Sequence, residues 1–329
     1  MKQSLVTNIP VVRDALEEPF FICCAGRSGS SHLCLMLNHH KLISCTDEIG
    51  YITDLVSDDG EIPNLETYRE WLKSDRVFFS RGYEIDPSLD FHGLANSFLS
   101  RQQDCRGMQA VGAVSHHNFI RLLRLWPKAR FIHLVRDGRD VAFSWMKEIK
   151  LNHTAWYAAE HWVKAEQEWD RLAKELSPEQ YIEISYEQFV DSPDDTLREI
   201  CQFLNVSHDT EMHSFAREGS YFQYPDPKFI GLWRSRLSSG EVRLAEARAG
   251  DVLKSRGYTL NDKVAQLSAF DKVRLRVRET IHDMSRTLEL FGWKFFVLDR
   301  LNRKFLKSER LGTYLKEHRN HIIDAQLKR

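Results

Sequence analysis

The sequence predicts an α/β fold in which a parallel sheet is covered by helices, followed by a helical C-terminal extension. Three observations carry this. Short apolar runs are separated by helical segments long enough to cross back over a sheet. The first run, Phe20-Phe21-Ile22-Cys23-Cys24, passes directly into the glycine-containing loop Ala25-Gly26-Arg27-Ser28-Gly29-Ser30-Ser31. Polar clusters follow three of the runs, at 27–31, 115–117 and 136–140, and in such sheets ligands bind outside the carboxyl ends of the strands.

The first strand, loop and helix span about Pro19 to His40, with the helix beginning near Ser30. A loop-rich stretch with short helical patterns occupies Asp47 to about Gln103. A second strand is expected over Met108–Val114, and a helix over Asn118–Trp126 leads through Pro127 into a strong strand, Arg130–Val135. Another helix starts after Arg136, and a long one with apolar residues at helical spacing covers about Ala155–Leu176 until Pro178 closes it. Gln180–Ile184 is the fourth strand. From Ser192 the chain reads helical apart from a loop around Tyr224-Pro225-Asp226-Pro227. No internal repeat or low-complexity tract is present.

With 329 residues the chain can bury a full core, as one large α/β domain or as a domain with an appendage. The net charge of −1 argues against a nucleic-acid binder. Charge is unevenly spread, however. Residues 261–329 hold 16 Lys and Arg against 9 Asp and Glu, a net of +7, which leaves −8 on residues 1–260. We therefore divide the chain into a core, 1–260, and a basic helical extension, 261–329. The six cysteines (Cys23, Cys24, Cys34, Cys45, Cys105, Cys201) form no CxxC pair, so reduced thiols are expected rather than a zinc site or disulfide framework. No run approaches the roughly 20 apolar residues of a membrane span, and the first residues lack a signal-peptide core. These features predict a cytoplasmic protein.

The first loop is an anion cradle on physical grounds. N–H groups at a helix start point outward unpaired, the helix dipole adds partial positive charge, and Arg27 with three hydroxyls stands in the same seven residues. Phosphate or sulfate is the natural ligand. An ATPase-type loop would end in Gly-Lys-Ser/Thr, whereas Gly29 is followed by Ser30-Ser31 with no lysine. In Arg136-Asp137-Gly138-Arg139-Asp140, either acid can cap the following helix, and Arg136 can pair with one of them. Its place at the same sheet edge as the loop favours a phosphate role, with the Ser144 hydroxyl adding a further contact.

These motifs together resemble the sulfotransferase family, the enzymes that use 3′-phosphoadenosine-5′-phosphosulfate (PAPS). The resemblance rests on GRSGSS after the first strand and FIHLVRDGRDVAFS later, then YIEISYEQFVDSPDDTLREICQFLNV and GLWRSRLSSGEVRLAEARAGDVLKSRGY, covering about residues 18–258 in order. It is closest to the bacterial and tyrosylprotein-type branch, whose loop begins with Arg. The resemblance implies a P-loop-like three-layer sandwich, a central parallel sheet flanked by helices, in residues 1–260. It implies that Arg27, Ser28, Gly29, Ser30 and Ser31 hold the 5′-phosphate and sulfuryl group, that Arg136 and Ser144 hold the 3′-phosphate, and that Tyr186 lies near the adenine. Lys228 to Arg234, including Gly231, falls where the family closes a loop over the cofactor. Adenosine 3′,5′-bisphosphate (PAP) would be the product. No metal is called for, since arginines and the helix dipole supply the positive field.

An acceptor hydroxyl loses a proton as it attacks sulfur, so a base is required. Glu48, 21 residues beyond Arg27, stands at the spacing at which related bacterial and tyrosylprotein-type enzymes place their catalytic glutamate; alternatively it is a solvated acid at a helix start, and Asp47 is its nearest rival. His116 and His117 compete, because animal-type members use a histidine after the second strand. The lysine that the family often has there is absent from AVGAVSHH. The acceptor, whether small molecule, lipid-like compound or glycan, is not specified; Trp71, Phe78, Phe79, Tyr83 and Phe91 hint at an apolar cavity or at plain core. In the extension, 291–307 mixes apolar and basic faces. It suits packing on the core, a dimer contact or a membrane surface. Two other functions remain open at this stage: a nucleotide kinase or NTPase on the same strand–loop–helix, and a non-catalytic nucleotide-binding protein.

Overall fold

Five strands form one wholly parallel sheet in the order β2-β3-β1-β4-β5: β1 Phe20–Cys23, β2 Ile43–Thr46, β3 Ala110–Ser115, β4 Arg130–Val135 and β5 Tyr181–Ser185. The computed structural model describes residues 16–100, 107–148, 154–218, 226–261 and 268–327. Cys105 and the 224–225 part of the expected loop lie outside the described residues.

Continuous apolar runs are required because both sheet faces are covered, and alternate side chains must be apolar in opposite directions. Phe21, Cys23, Val111, Ala113 and Phe131 join one core. That core includes helices α3 Leu65–Ser74, α5 Phe91–Leu99, α6 Phe119–Leu125, α7 Gly138–Glu148, α8 Ala155–Ala173 and α12 Ser239–Ser255. Phe20, Ile22, Cys24, Val114, Ile132 and Ile184 join a second core against α1 Ser30–Leu37, α9 Tyr186–Asp191 and α10 Pro193–Phe203. The short helices α2 Gly50–Thr53, α4 Arg76–Ser80 and α11 Trp233–Arg236 complete the fold. The result is the three-layer sandwich with a central parallel sheet.

One strand escapes the sequence reading. Ile43-Ser44-Cys45-Thr46 is too short to show a period of its own, and it is a strand because it pairs along β3, Ile43 with Ala110 through Thr46 with Ala113. The other four strands fall within two residues of their expected bounds. From β1 the chain runs to one side for β2 and β3, then to the other for β4 and β5. The loop after β1 therefore stands at the topological switch, where a crevice opens.

Beneath this edge lies a buried charge network. His133 on β4 stacks on Trp169 at 4.4 Å, with Nε2 3.3 Å from Glu166 Oε2 and Nδ1 3.7 Å from Glu183 Oε2. Arg256 Nε donates to Glu166 Oε2 at 2.6 Å, and Trp169 Nε1 donates to Glu183 at 2.9 Å. Burial alone would depress His133, but the neighbouring carboxylates of Glu166 and Glu183 outweigh burial and raise it; the imidazole in turn pulls Glu183 down to about 2. The raised histidine stabilises fully below its ordinary value of 6.5, and that contribution fades as pH rises through the folded value. The lowered glutamate stabilises above 4.5, and that contribution fades toward about 2. The urea midpoint is expected to peak between those two ordinary values. Its acid limb should be shallower in Glu183→Gln; an unchanged limb would remove Glu183 from the account.

The C-terminal region is helical as expected. Helix α13, Ala269–Leu301, is kinked at Gly292, where φ is 79°, and α14, Glu309–Leu327, returns against α3. Lys316 Nζ donates to Ser74 Oγ at 3.1 Å and lies 4.6 Å over the Trp71 ring; Asn320 Nδ2 donates to Ser74 O. Phe270, Val277, Ile281, Trp293 and Phe305 remain exposed. Among the described residues no helix is long and apolar enough to cross a membrane.

Candidate anion and transfer site

The loop after β1 takes its shape from two left-handed residues, Arg27 at φ 76° and Gly29 at φ 95°. Alternation of right- and left-handed residues turns successive N–H groups toward one concavity. Gly29 caps α1 with no side-chain hydrogen bond, so the Ser30 and Ser31 amides of the first turn have no intrahelical acceptor. Ser28 is fully buried, and its Oγ has no partner. Ser30 is buried beside Cys24, whereas Ser31 is exposed. Burial pushes the Cys24 thiol up to about 12, and it is not a nucleophile.

A Cβ on Gly29 would lie 2.5 Å from the Tyr186 ring, and the left-handed backbone penalises any side chain by about 1–2 kcal/mol. Gly29→Ala should therefore cost about 2–4 kcal/mol in urea unfolding. Adding Tyr186→Leu should recover the clash but not the backbone strain. Simple additivity of the two substitutions would show that the ring is not the obstacle.

The end of β4 supplies the second half. Arg136 is buried and donates from Nη1 to Arg27 O at 3.1 Å and from Nη2 to Phe229 O at 2.9 Å. Its guanidinium lies 4.1 Å over the Tyr186 ring, and its Nε has no partner. Burial raises the Tyr186 phenol despite the opposing effect of Arg136, keeping it neutral. From α7, Ser144 Oγ accepts from Arg27 Nε at 3.1 Å. Arg27, Gly29, Arg136, Ser144 and Tyr186 thus converge from three strand ends. Trp145, which sequence reasoning did not single out, donates from Nε1 to Gly26 O at 3.1 Å and walls the loop.

Asp137 and Asp140 divide the roles that looked interchangeable in sequence. Asp137 Oδ1 accepts from the Arg139 amide and so caps α7; its two oxygens also hold the Arg139 guanidinium. Asp140 caps nothing on its own helix. It accepts from the amides of Gly231 and Trp233 at 2.6 and 2.8 Å. The partner of Asp137 is Arg139, not Arg136, and Arg139 continues to Glu246 at 2.7 Å while stacking on Trp233 at 3.8 Å. Trp233 is a buried core residue. This clamp brings the 227–233 segment to the β4 end. Within it the Gly231 amide is occupied by Asp140, and Lys228 is exposed and paired with Asp226.

The base candidates stand at the ends of β2 and β3. Glu48 is half-buried just beyond β2, close enough to act electrostatically on Cys24 and His117. Its neighbour Asp47 pairs with Arg81 at 3.5 Å. His116 Nδ1 lies 3.1 Å from Cys24 O and 3.5 Å from Cys24 Sγ. His117 Nε2 is bound to Asp54 at 2.8 Å, and this bond raises its pKa and commits its ring. The aromatics of 51–103 divide similarly. Phe78 and Phe91 are core, Trp71 and Tyr83 pack against it, and Phe79 is exposed.

Comparison with known proteins agrees with this architecture. A curated relative from Aquifex aeolicus (strain VF5), an uncharacterized protein, is 23% identical over 219 residues, 58% of this chain. The chain spans about a quarter of that protein's length. The sulfotransferase domain of the Synechococcus PCC 7002 olefin synthase superposes with a TM-score of 0.52 at 19% identity, over 74% of this chain and 97% of that one. The sulfotransferase domain of the curacin biosynthetic pathway gives 0.49 at 17%, over 74% and 99%. The family model for sulfotransferases matches residues 19–210, from the start of β1 past β5, and on that match over more than half of its length the chain belongs to the sulfotransferase family.

Proposed function

We propose that this protein transfers a sulfuryl group from PAPS to the hydroxyl of an acceptor, with PAP as the second product. The observation that carries the reading is a pair of buried polar atoms without partners, Ser28 Oγ and Arg136 Nε, beside the uncapped start of α1. Such atoms are costly to leave unmet, and a doubly phosphorylated ligand meets both. In this reading Arg27, Ser28, Gly29, Ser30 and Ser31 hold the 5′-phosphosulfate, and Arg136 and Ser144 hold the 3′-phosphate. Tyr186, pressed between Gly29 and Arg136, borders the nucleoside. The bound donor supplies the activated sulfuryl group.

The chain's own groups do the rest. Glu48 takes the acceptor's proton as the oxygen–sulfur bond forms and the bond to the phosphate breaks. Arg27 and the α1 amides neutralise charge gathering on the leaving side. Arg27 also couples the two halves of the site through Ser144, so binding at the β4 end orients the group at the β1 loop. A melting-temperature rise with PAP but not with ATP, together with transfer of labelled sulfuryl to a hydroxyl compound, is the expected result. Stabilisation and hydrolysis of ATP would instead favour the NTPase reading.

A further inference from the structure

Away from the cradle, three side chains that no step above uses converge on one point. Asp194 lies in the first turn of α10, His208 in the loop that follows this helix, and His213 in the 3-10 segment Thr210–Glu218. His208 Nε2 and His213 Nε2 stand 3.1 and 3.2 Å from the same oxygen, Asp194 Oδ1, and the three atoms lie within 4.8 Å of one another. A tetrahedral ion with ligands at 2.0–2.1 Å separates those ligands by ~3.3 Å, close to the two Asp194–histidine separations. The two histidines are separated by four residues, within the His-x3–5-His range common in zinc sites.

Hydrogen bonding accounts for only part of the cluster. His213 makes an aligned bond to Asp194, and Arg198 Nε occupies the other carboxylate oxygen at 2.8 Å. The buried His208 Nε2 has no aligned partner despite its 3.1 Å approach. For His208, a lone pair aimed at a shared centre rather than at the carboxylate produces this combination of short separation and poor alignment. The neighbouring His40 is already spent, since Nε2 binds Ser207 O and Nδ1 accepts from the Leu42 amide.

We propose that Asp194, His208 and His213 form a site for a divalent transition metal of the zinc class, with solvent completing the coordination. The ion ties together the start of α10, the loop after it and the 3-10 segment. It is structural and separate from sulfuryl transfer.

The test uses the full chain without an affinity tag, stripped with a chelator and titrated with Co²⁺ and then Zn²⁺. One Co²⁺ per chain, with the visible absorption of a tetrahedral ion, displacement by Zn²⁺ and a raised melting temperature are expected. His208→Gln and His213→Gln should each weaken binding at least about tenfold while leaving PAP binding intact. No stoichiometric binding, or binding indifferent to both substitutions, overturns the site and leaves a plain ion-pair cluster. If a variant fails to fold, X-ray absorption of the zinc-loaded wild type decides. A shell with two imidazoles supports the site, and a thiolate or all-oxygen shell overturns it.

Discussion

Replacing Arg136 with alanine is expected to weaken PAP binding by about 2–4 kcal/mol, roughly 30- to 1,000-fold, the largest loss of affinity from any single change at this site. The size follows from what the guanidinium already does. It is buried, bridges the carbonyls of Arg27 and Phe229, lies over the Tyr186 ring and keeps one N–H unspent. Alanine removes the charge and also leaves two carbonyls without their donor, so the β1 loop and the 227–233 segment lose a common anchor. Arg136→Lys should recover only a minor part, because one ammonium nitrogen lacks the planar fork by which separate guanidinium nitrogens reach the two carbonyls. Calorimetric titration with PAP, alongside a melting curve to separate affinity from stability, reads the effect. An Arg136→Ala protein that folds and binds PAP as tightly as wild type would dismiss the two-phosphate account.

What was legible in the sequence was local. The β1 loop and the Arg136–Ser144 segment each carry their chemistry within ten residues, and the alternation of strands with helices orders the sheet around them. What was not legible depends on partners distant in sequence. β2 exists through its pairing with β3, and nothing in Ile43–Thr46 announces it. Asp137 and Asp140 look alike along the chain. They differ because the turn at 231–233 offers its amides to one, while Arg139 and the helix start claim the other. Trp145 adjoins Ser144, yet only the fold shows its indole against Gly26. The Asp194–His208–His213 cluster escaped notice for a similar reason. Its histidines are spaced as ligands often are, but the third member comes from the far end of a helix.

Glu48→Gln is expected to lower the rate of sulfuryl transfer by about 10²- to 10⁴-fold, the usual worth of a positioned general base, while PAP affinity stays unchanged. The amide keeps the shape of the carboxylate and removes its capacity to take a proton. Two controls distinguish this role from a general effect of charge. Asp47→Asn breaks a pair with Arg81, a partly exposed contact, and should leave the rate within about fivefold, since such pairs contribute at most about 1 kcal/mol. His117→Gln breaks the contact with Asp54 and should act mainly on stability. His116 is the sharper rival, because its Nδ1 rests on Cys24, whereas the His117 ring is held by the Asp54 carboxylate. The measurement is single-turnover transfer to an acceptor found by screening cell metabolites for a gained sulfuryl group. If Glu48→Gln keeps its rate and His116→Gln loses it, the proton leaves through the end of β3 rather than β2. The acceptor must then approach from the histidine side of the cradle.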